Sequence, residues 1–358
     1  MSLNLKELSA EELEAFVDRL GWDRYRARQI SSWIYRKRAV DFEAMTNLSR
    51  EERKILGQQA HLGGIHLLTS QKSVDGTEKF LFGLDDGNRI ESVLIPDSGG
   101  TEEGSRLTLC LSTQAGCTLD CGFCLTGREK LKRNLKAHEI VDQVLSVQRL
   151  IGVDRPLTNL VMMGMGEPLA NLRNLVEALQ RLASPDGVGF SPRRITVSTA
   201  GLVPQIKRLG ASAVPVNLAV SLNATTNAVR DRLMPINRRY PLKSVLAACR
   251  SYPLAPRRRI TFEYVLLAGV NDTPEDACRL VRLVQGIRCK INLIPFNEFP
   301  GAGHERPSEE RIQAFQQILL RARLTATIRK SKGEDILAAC GQLTGINLPS
   351  ESSPGELP

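Results

Sequence analysis

Three cysteines, Cys117, Cys121 and Cys124, sit in the run CTLDCGFC, a CxxxCxxC spacing within one short loop. Thiolates are soft ligands that take iron or zinc. Three of them can hold three irons of a 4Fe-4S cluster, whereas electron-transfer clusters of that type use four cysteines. The fourth iron is then open to a substrate, as a catalytic metal keeps a vacant position. Zinc is the alternative occupant, but zinc ribbons bring two separated pairs, and His61, His66, His138 and His304 form no matching pair. Two further cysteines stand apart: Cys110, shortly before the cluster, and Cys340, in GEDILAACGQL near the end of the chain. A lone cysteine reads by default as a small buried hydrophobe, the reading for Cys249, Cys278 and Cys289.

The elements that must position these thiols begin near residue 105. Candidate strands are LTLCLS at 107–112, NLVMMG at 159–164, RITVST at 194–199, VNLAVS at 216–221, ITFEYVLL at 260–267 and INLIPF at 291–296. Helix-length segments such as AHEIVDQVLSVQRLIG and TPEDACRLVRLVQG separate them. Apolar strands alternating with helices predict a parallel α/β sheet, and six such units predict an open (β/α)6 partial barrel. LTATIRK at 324–330 is a candidate for one more strand. The three-cysteine loop follows the first barrel strand, at the edge where barrel loops carry active-site groups. MGMGEP, with Gly166, Glu167 and Pro168, follows the second. A carboxylate among backbone carbonyls is a suitable acceptor for an ammonium group, although GEP alone reads equally well as a tight turn.

Upstream, residues 1–62 read as a helical module. Ser9 with Glu12 forms a capping-box start, Leu13, Phe16, Val17 and Leu20 keep helical spacing, and Gly21 is a stop. Residues 63–104 read as a small β-meander, with hairpin signals at Asp75-Gly76 and Asp86-Gly87. Residues 105–346 form the barrel core, and the tail at 347–358 lacks core-forming residues and is predicted disordered.

The whole chain sets outer bounds. Its 358 residues are 42% apolar and 24% charged, the profile of a globular protein with a full core. No run of about 18 apolar residues is present, so no membrane span is expected. The N-terminus lacks an apolar signal core, which points to the cytoplasm. There, eight cysteines are better read as ligands or reactants than as a disulfide framework. A net charge of +9 favours a polyanionic partner. Basic residues cluster at Arg24, Arg26 and Arg28; at Arg36, Lys37 and Arg38; at Lys130, Lys132, Arg133 and Lys136; at Arg257, Arg258 and Arg259; and from Arg321 through Arg329 to Lys332. Each cluster alone reads equally as a solvated face; together with the net charge they point to nucleic acid.

The cysteine spacing after a first barrel strand, with GEP one unit later, resembles the radical S-adenosylmethionine superfamily. CLSTQAGCTLDCGFCLTG, LKRNLKAHEIVDQV, SLNATTNAVRDRLMPINRRYPL, FEYVLLAGVND, INLIPFNE and GEDILAACGQLTG narrow the resemblance to the RNA adenine methyltransferases that act on 23S rRNA and tRNA. It runs from about residue 4 to 346.

The resemblance implies an open (β/α)6 radical-SAM barrel carrying a 4Fe-4S cluster on Cys117, Cys121 and Cys124, and two S-adenosylmethionine molecules per turnover. Cys340 takes a methyl group from one; a 5′-deoxyadenosyl radical from the other abstracts hydrogen from that methyl, and the carbon radical adds to adenine C2. Cys110 then resolves the protein–RNA adduct, leaving a transient disulfide with Cys340. Glu91 matches the family's proton acceptor. Gly166, Glu167, Ser198, Ser221, Leu222, Asn223 and Asn297 match its S-adenosylmethionine contacts. The implied partners are 23S rRNA, tRNA and an electron donor such as flavodoxin, and the implied state is a monomer.

Such a device answers a chemical need. Adenine C2 and C8 are electrophilic, and so is the methyl of S-adenosylmethionine, so ordinary nucleophilic transfer cannot join them. Without the resemblance, Glu91 reads as an exposed strand carboxylate, Asn297 as a turn residue and Ser198 as a satisfied hydroxyl. Two positions depart from common family patterns: Leu125 where a small residue is frequent, and Asn223 where many relatives carry histidine. The rival readings are C8 methylation by the same chemistry, and an RNA-binding protein with a structural metal site. The helical module, through Arg36 and Arg38, is the expected grip on RNA.

Overall fold

Two capping boxes start the N-terminal module. Ser9 Oγ accepts the Glu12 N–H at 3.1 Å while the Glu12 carboxylate accepts the Ser9 N–H at 2.7 Å, opening α1 (Ala10–Arg19). Ser49 and Glu52 do the same for α3 (Arg50–Gln59), and α2 (Tyr25–Tyr35) lies between. The three helices bury a core of their own, with Phe16, Val17, Ile30, Ile34, Met45 and Leu56 inside. The computed structural model describes residues 2–97 and 106–345, so the last part of the predicted meander segment and the predicted tail lie outside the described residues.

Polar contacts fasten this module to the barrel. Lys6 Nζ meets Asp142 Oδ1 at 2.9 Å with both side chains buried, and Lys136 Nζ meets Glu7 Oε1 at 2.6 Å. Arg181 donates to the carbonyls of Lys6, Glu7 and Leu8. Arg133 pairs with Glu139 and Asp86. Much of the basic run at 130–136 therefore serves internal attachment.

Ten strands form one sheet whose spatial order follows the chain: β1 (His66–Lys72), β2 (Glu78–Gly83), β3 (Arg89–Pro96), β4 (Leu107–Cys110), β5 (Asn159–Met162), β6 (Ile195–Thr199), β7 (Asn217–Ser221), β8 (Ile260–Leu266), β9 (Cys289–Pro295) and β10 (Ala326–Ile328). The first four pair antiparallel; β4 to β10 are all parallel. The meander thus continues the barrel sheet, and LTATIRK supplies a seventh parallel strand. β4 and β5 stop before the predicted ends because the chain turns into the site: Thr113 N–H reaches Met165 O at 2.9 Å.

Side chains alternate along each strand. Leu109, Leu160, Val197, Leu218, Phe262 and Ile291 are fully buried in the main core. The opposite set faces the barrel interior, which is polar: Thr108, Thr196, Thr261, Glu263, Asn292 and Arg329 all border it. A closed barrel interior is normally filled by branched aliphatic side chains; this one is hollow. Of the three cysteines expected inside the core, Cys249 and Cys289 are buried, but Cys278 is exposed. Helix Pro274–Val284 turns Ala277, Leu280 and Val284 inward, which leaves position 278 on its outer face.

Candidate active site

The three-cysteine loop leaves the sheet after β4 and closes on itself. Cys124 N–H donates to Cys121 O and Gly127 N–H to Cys124 O, each at 3.1 Å, while Gly122 N–H reaches Leu233 O at 3.0 Å. Cys117, Cys121 and Cys124 border one cavity at the C-terminal edge of the parallel strands. Burial pushes all three thiols up, Cys117 to about 12, and at Cys121 the other two sulfurs push further. Gathering three sulfur anions there is costly unless a cation sits among them. Three thiolates from one short loop are a donor set that fits a 4Fe-4S cluster with one iron left open, since each sulfur binds a separate iron.

Across the cavity stands Gly166-Glu167. Gly166 has φ +95°, and a Cβ there would lie 2.5 Å from Gln114 Cβ, so only glycine fits without displacing its neighbour. Glu167 is buried, and burial raises its carboxyl pKa against hydrogen bonds from Ala200 N–H (2.8 Å) and Leu169 N–H (3.0 Å). Ser198 and Ser221 border the same cavity. Asn223 does too, although its Oδ1 already accepts the Val265 N–H at 2.9 Å. The Leu222 side chain lies in the core, where its carbonyl takes Arg230 Nε at 3.0 Å. Asn297 borders the cavity and donates to the Cys340 carbonyl at 3.0 Å.

The loop carrying Cys340 is tied to the three-cysteine loop. Leu125 N–H donates to Gly341 O at 2.6 Å and Thr126 Oγ1 to Leu343 O at 2.5 Å. Cys340 thereby borders the cavity of the three cysteines, and with Cys110 it borders an adjoining one. All cysteines are free thiols. Burial pushes the Cys110 thiol to about 12, with Cys340 adding to the rise and Arg329 opposing it.

Glu91 is not the exposed strand carboxylate that a bare reading of the sequence expects: it is 1% exposed. Its Oε1 meets Lys79 Nζ at 3.3 Å, and its Oε2 accepts the N–H groups of Thr344 and Gly345. The continuous sheet and the returning C-terminal segment cover it. Sequence reasoning also passed over Arg329 and Glu263, which border the main cavity. Strand alternation was the available signal, since Glu263 and Arg329 fall on the inward positions of β8 and just after β10.

An open parallel barrel with three cysteines after its first strand and Gly-Glu-Pro after its second defines a radical S-adenosylmethionine protein, and residues 111–281 match the family model of the Radical SAM superfamily. Residues 3–62 match the model of the ribosomal RNA large subunit methyltransferase N-terminal domain. The chain is 55% identical over 343 residues to the dual-specificity RNA methyltransferase RlmN of Geobacter sulfurreducens, covering 96% of this chain and 92% of that one. Identity to the RlmN of Geotalea uraniireducens is 53% over 343 residues, 96% of this chain and 97% of the other. A crystal structure of a radical SAM methyltransferase from Sphaerobacter thermophilus superposes with a TM-score of 0.90 at 46% identity, covering 96% of this chain and all of that one. The chain belongs to the dual-specificity RNA methyltransferase RlmN family.

Proposed function

We propose that this chain is a radical S-adenosylmethionine methyltransferase that methylates C2 of an adenine in 23S rRNA and in tRNA through a methyl group carried on Cys340. The observation that carries the proposal is the placing of Cys340 against two neighbours at once, the three-cysteine loop on one side and Cys110 on the other. Cys117, Cys121 and Cys124 would hold a 4Fe-4S cluster, with Gly166, Glu167, Ser198, Ser221, Leu222, Asn223 and Asn297 around S-adenosylmethionine. When bound, these groups supply a methyl group and the power to remove one hydrogen atom from it.

The chain's own residues do the rest. The Cys340 sulfur receives the methyl carbon as the sulfonium S–C bond breaks, consuming one S-adenosylmethionine; hydrogen removal consumes a second. Joining the radical carbon to C2 leaves one unpaired electron on the adduct, which would return to the cluster held by Cys117, Cys121 and Cys124; the Cys110 sulfur, as a thiolate, then attacks the Cys340 sulfur. The disulfide forms, the S–C bond breaks, and the carbon takes a proton to become the methyl group. Glu91 takes the proton that C2 loses; for that, its Oε2 must be released from the Thr344 and Gly345 backbone. The cycle needs an electron donor such as flavodoxin, in keeping with a cytoplasmic monomer.

The units assigned are residues 1–62 for gripping RNA, 63–104 as the sheet extension, 105–346 as the catalytic barrel and 347–358 as a disordered tail. Arg36 is exposed and also donates to the Pro185 carbonyl, which helps dock the module; Arg24 and Arg28 are exposed as well. Charge reversal at Arg24 and Arg28 should weaken RNA binding without altering S-adenosylmethionine cleavage. The test of the reaction is nucleoside analysis of 23S rRNA and tRNA after anaerobic incubation with reconstituted protein: 2-methyladenosine is expected. 8-Methyladenosine would move the reaction to C8, and intact S-adenosylmethionine would leave only a structural metal site.

A further inference from the structure

Arg329 has no assigned part in this chemistry, yet it makes the most direct side-chain contact to the methyl-carrying thiol. Its Nη1 donates to Cys340 Sγ at 3.1 Å. The residue follows β10, where its backbone N–H pairs with Leu293 O at 2.8 Å, so a rigid strand end aims the side chain inward. The guanidinium borders both the cavity of the three-cysteine loop and the one shared by Cys110 and Cys340. The other groups bordering the two cavities of Cys340 are mostly neutral; the charged ones are Glu167 and Glu263 in the main cavity and Lys332 in the adjoining one. Cys110 faces it from β4 and Cys124 from the cluster loop, both felt electrostatically. Glu263 on β8 accepts from Asn292 Nδ2 at 2.7 Å and acts electrostatically on Arg329.

A sulfur that is to displace a methyl group from a sulfonium must reach the reaction as an anion, and the thiolate is the nucleophile. Burying that anion without a cation is costly. A guanidinium N–H aimed at the sulfur offers a charge-assisted hydrogen bond and fixes a direction. The Cys340 sulfur also raises the pKa of the guanidinium, against the burial that lowers it.

Building on the methyltransferase reading, we propose that Arg329 is a positioning residue that holds the Cys340 sulfur as an oriented anion, ready to take the methyl group of S-adenosylmethionine. The S–C bond to Cys340 forms as the sulfonium S–C bond breaks, S-adenosylhomocysteine leaves, and the guanidinium is freed from a sulfur that has become a neutral thioether.

The test compares wild type with Arg329→Met and Arg329→Lys. The first readout uses metal-free protein: alkylation of Cys340 by neutral iodoacetamide and by anionic iodoacetate, followed at the peptide carrying Cys340. Arg329→Met should slow both reagents tenfold or more and lower the iodoacetate-to-iodoacetamide ratio, while Arg329→Lys keeps the ratio near wild type. The second readout is methyl acquisition at Cys340 in reconstituted protein with unchanged iron content, where the order should be wild type, then lysine, then methionine. Alkylation of Arg329→Met at the wild-type rate and ratio would overturn the proposal, as would a loss of methyl acquisition with alkylation untouched. Absence of methyl on Cys340 in the wild type would count against the methyltransferase reading, leaving the alkylation result to judge Arg329.

Discussion

Glu91 Oε2 accepts the backbone N–H of Thr344 at 2.8 Å, so the strand before the barrel grips the chain just beyond Cys340. Gly345 N–H adds a second bond to the same oxygen at 3.2 Å. Lys79 completes the arrangement, ion-paired to Glu91 and donating to Leu337 O at 3.4 Å. The loop that carries Cys340 is therefore clamped on both sides of the cysteine, by this cluster and by the three-cysteine loop.

Glu91→Ala leaves Lys79 buried without its carboxylate and should cost on the order of 3–5 kcal/mol in a urea melt. Glu91→Gln keeps an acceptor for the backbone and should cost less. It should abolish RNA methylation while Cys340 still acquires a methyl group, since proton removal from the base comes later. Peptide mass and nucleoside analysis on the same sample check this.

Cys110→Ala removes the thiol to which the proposed reaction assigns product release. The small buried side chain is nearly matched in volume, so stability should fall by only about 1 kcal/mol. A covalent protein–RNA adduct should accumulate, visible as a shifted band under denaturing conditions. Cys110→Ala with Cys340→Ala should show no such band.

Gly166→Ala places a methyl group against Gln114 in a backbone conformation that L side chains rarely adopt. The Glu167 N–H, which donates to Gln114 Oε1 at 2.9 Å, should shift with it. Binding of S-adenosylmethionine, measured by equilibrium dialysis, should weaken at least tenfold with iron content retained.

Asp75 binds the Gly333 N–H at 3.0 Å and so ties the β1–β2 turn to the segment that leads to Cys340. Burial opposes its charge, yet hydrogen bonds from Thr77, Gly333 and Ser73 prevail and lower its pKa. A carboxyl lowered in the folded state stabilises above its unfolded value, roughly 4. That contribution is lost as the pH falls through the lowered folded value. Amide exchange at Gly333, corrected for intrinsic pH dependence, should therefore quicken in strong acid, and Asp75→Ala should show the faster exchange already at neutral pH.

Much of the site was legible because its chemistry is local. The three cysteines and Gly166-Glu167 lie within short runs, and strand–helix alternation placed both at one edge of the sheet. Glu91 was misread as exposed because its cover comes from Thr344 and Gly345, contacts far apart in sequence that no local pattern encodes. Arg329 was hidden in a basic run that reads as solvated, and only β10 turns it toward Cys340. Arg133 and Lys136 read as part of an RNA patch, but Arg133 pairs with Glu139 six residues on, and the fold brings Glu7 from the N-terminal module to Lys136. Cys278 failed for a simpler reason: residue type alone does not say which face of a helix a cysteine takes.

The most direct test follows a labelled methyl group. Reconstituted protein is incubated without oxygen with methyl-labelled S-adenosylmethionine, and the peptide carrying Cys340 is weighed before and after RNA is added. The label should appear on Cys340 and then pass to adenine C2 in the RNA. An unlabelled Cys340 beside methylated RNA, or methylated RNA from Cys340→Ala protein, would contradict the account.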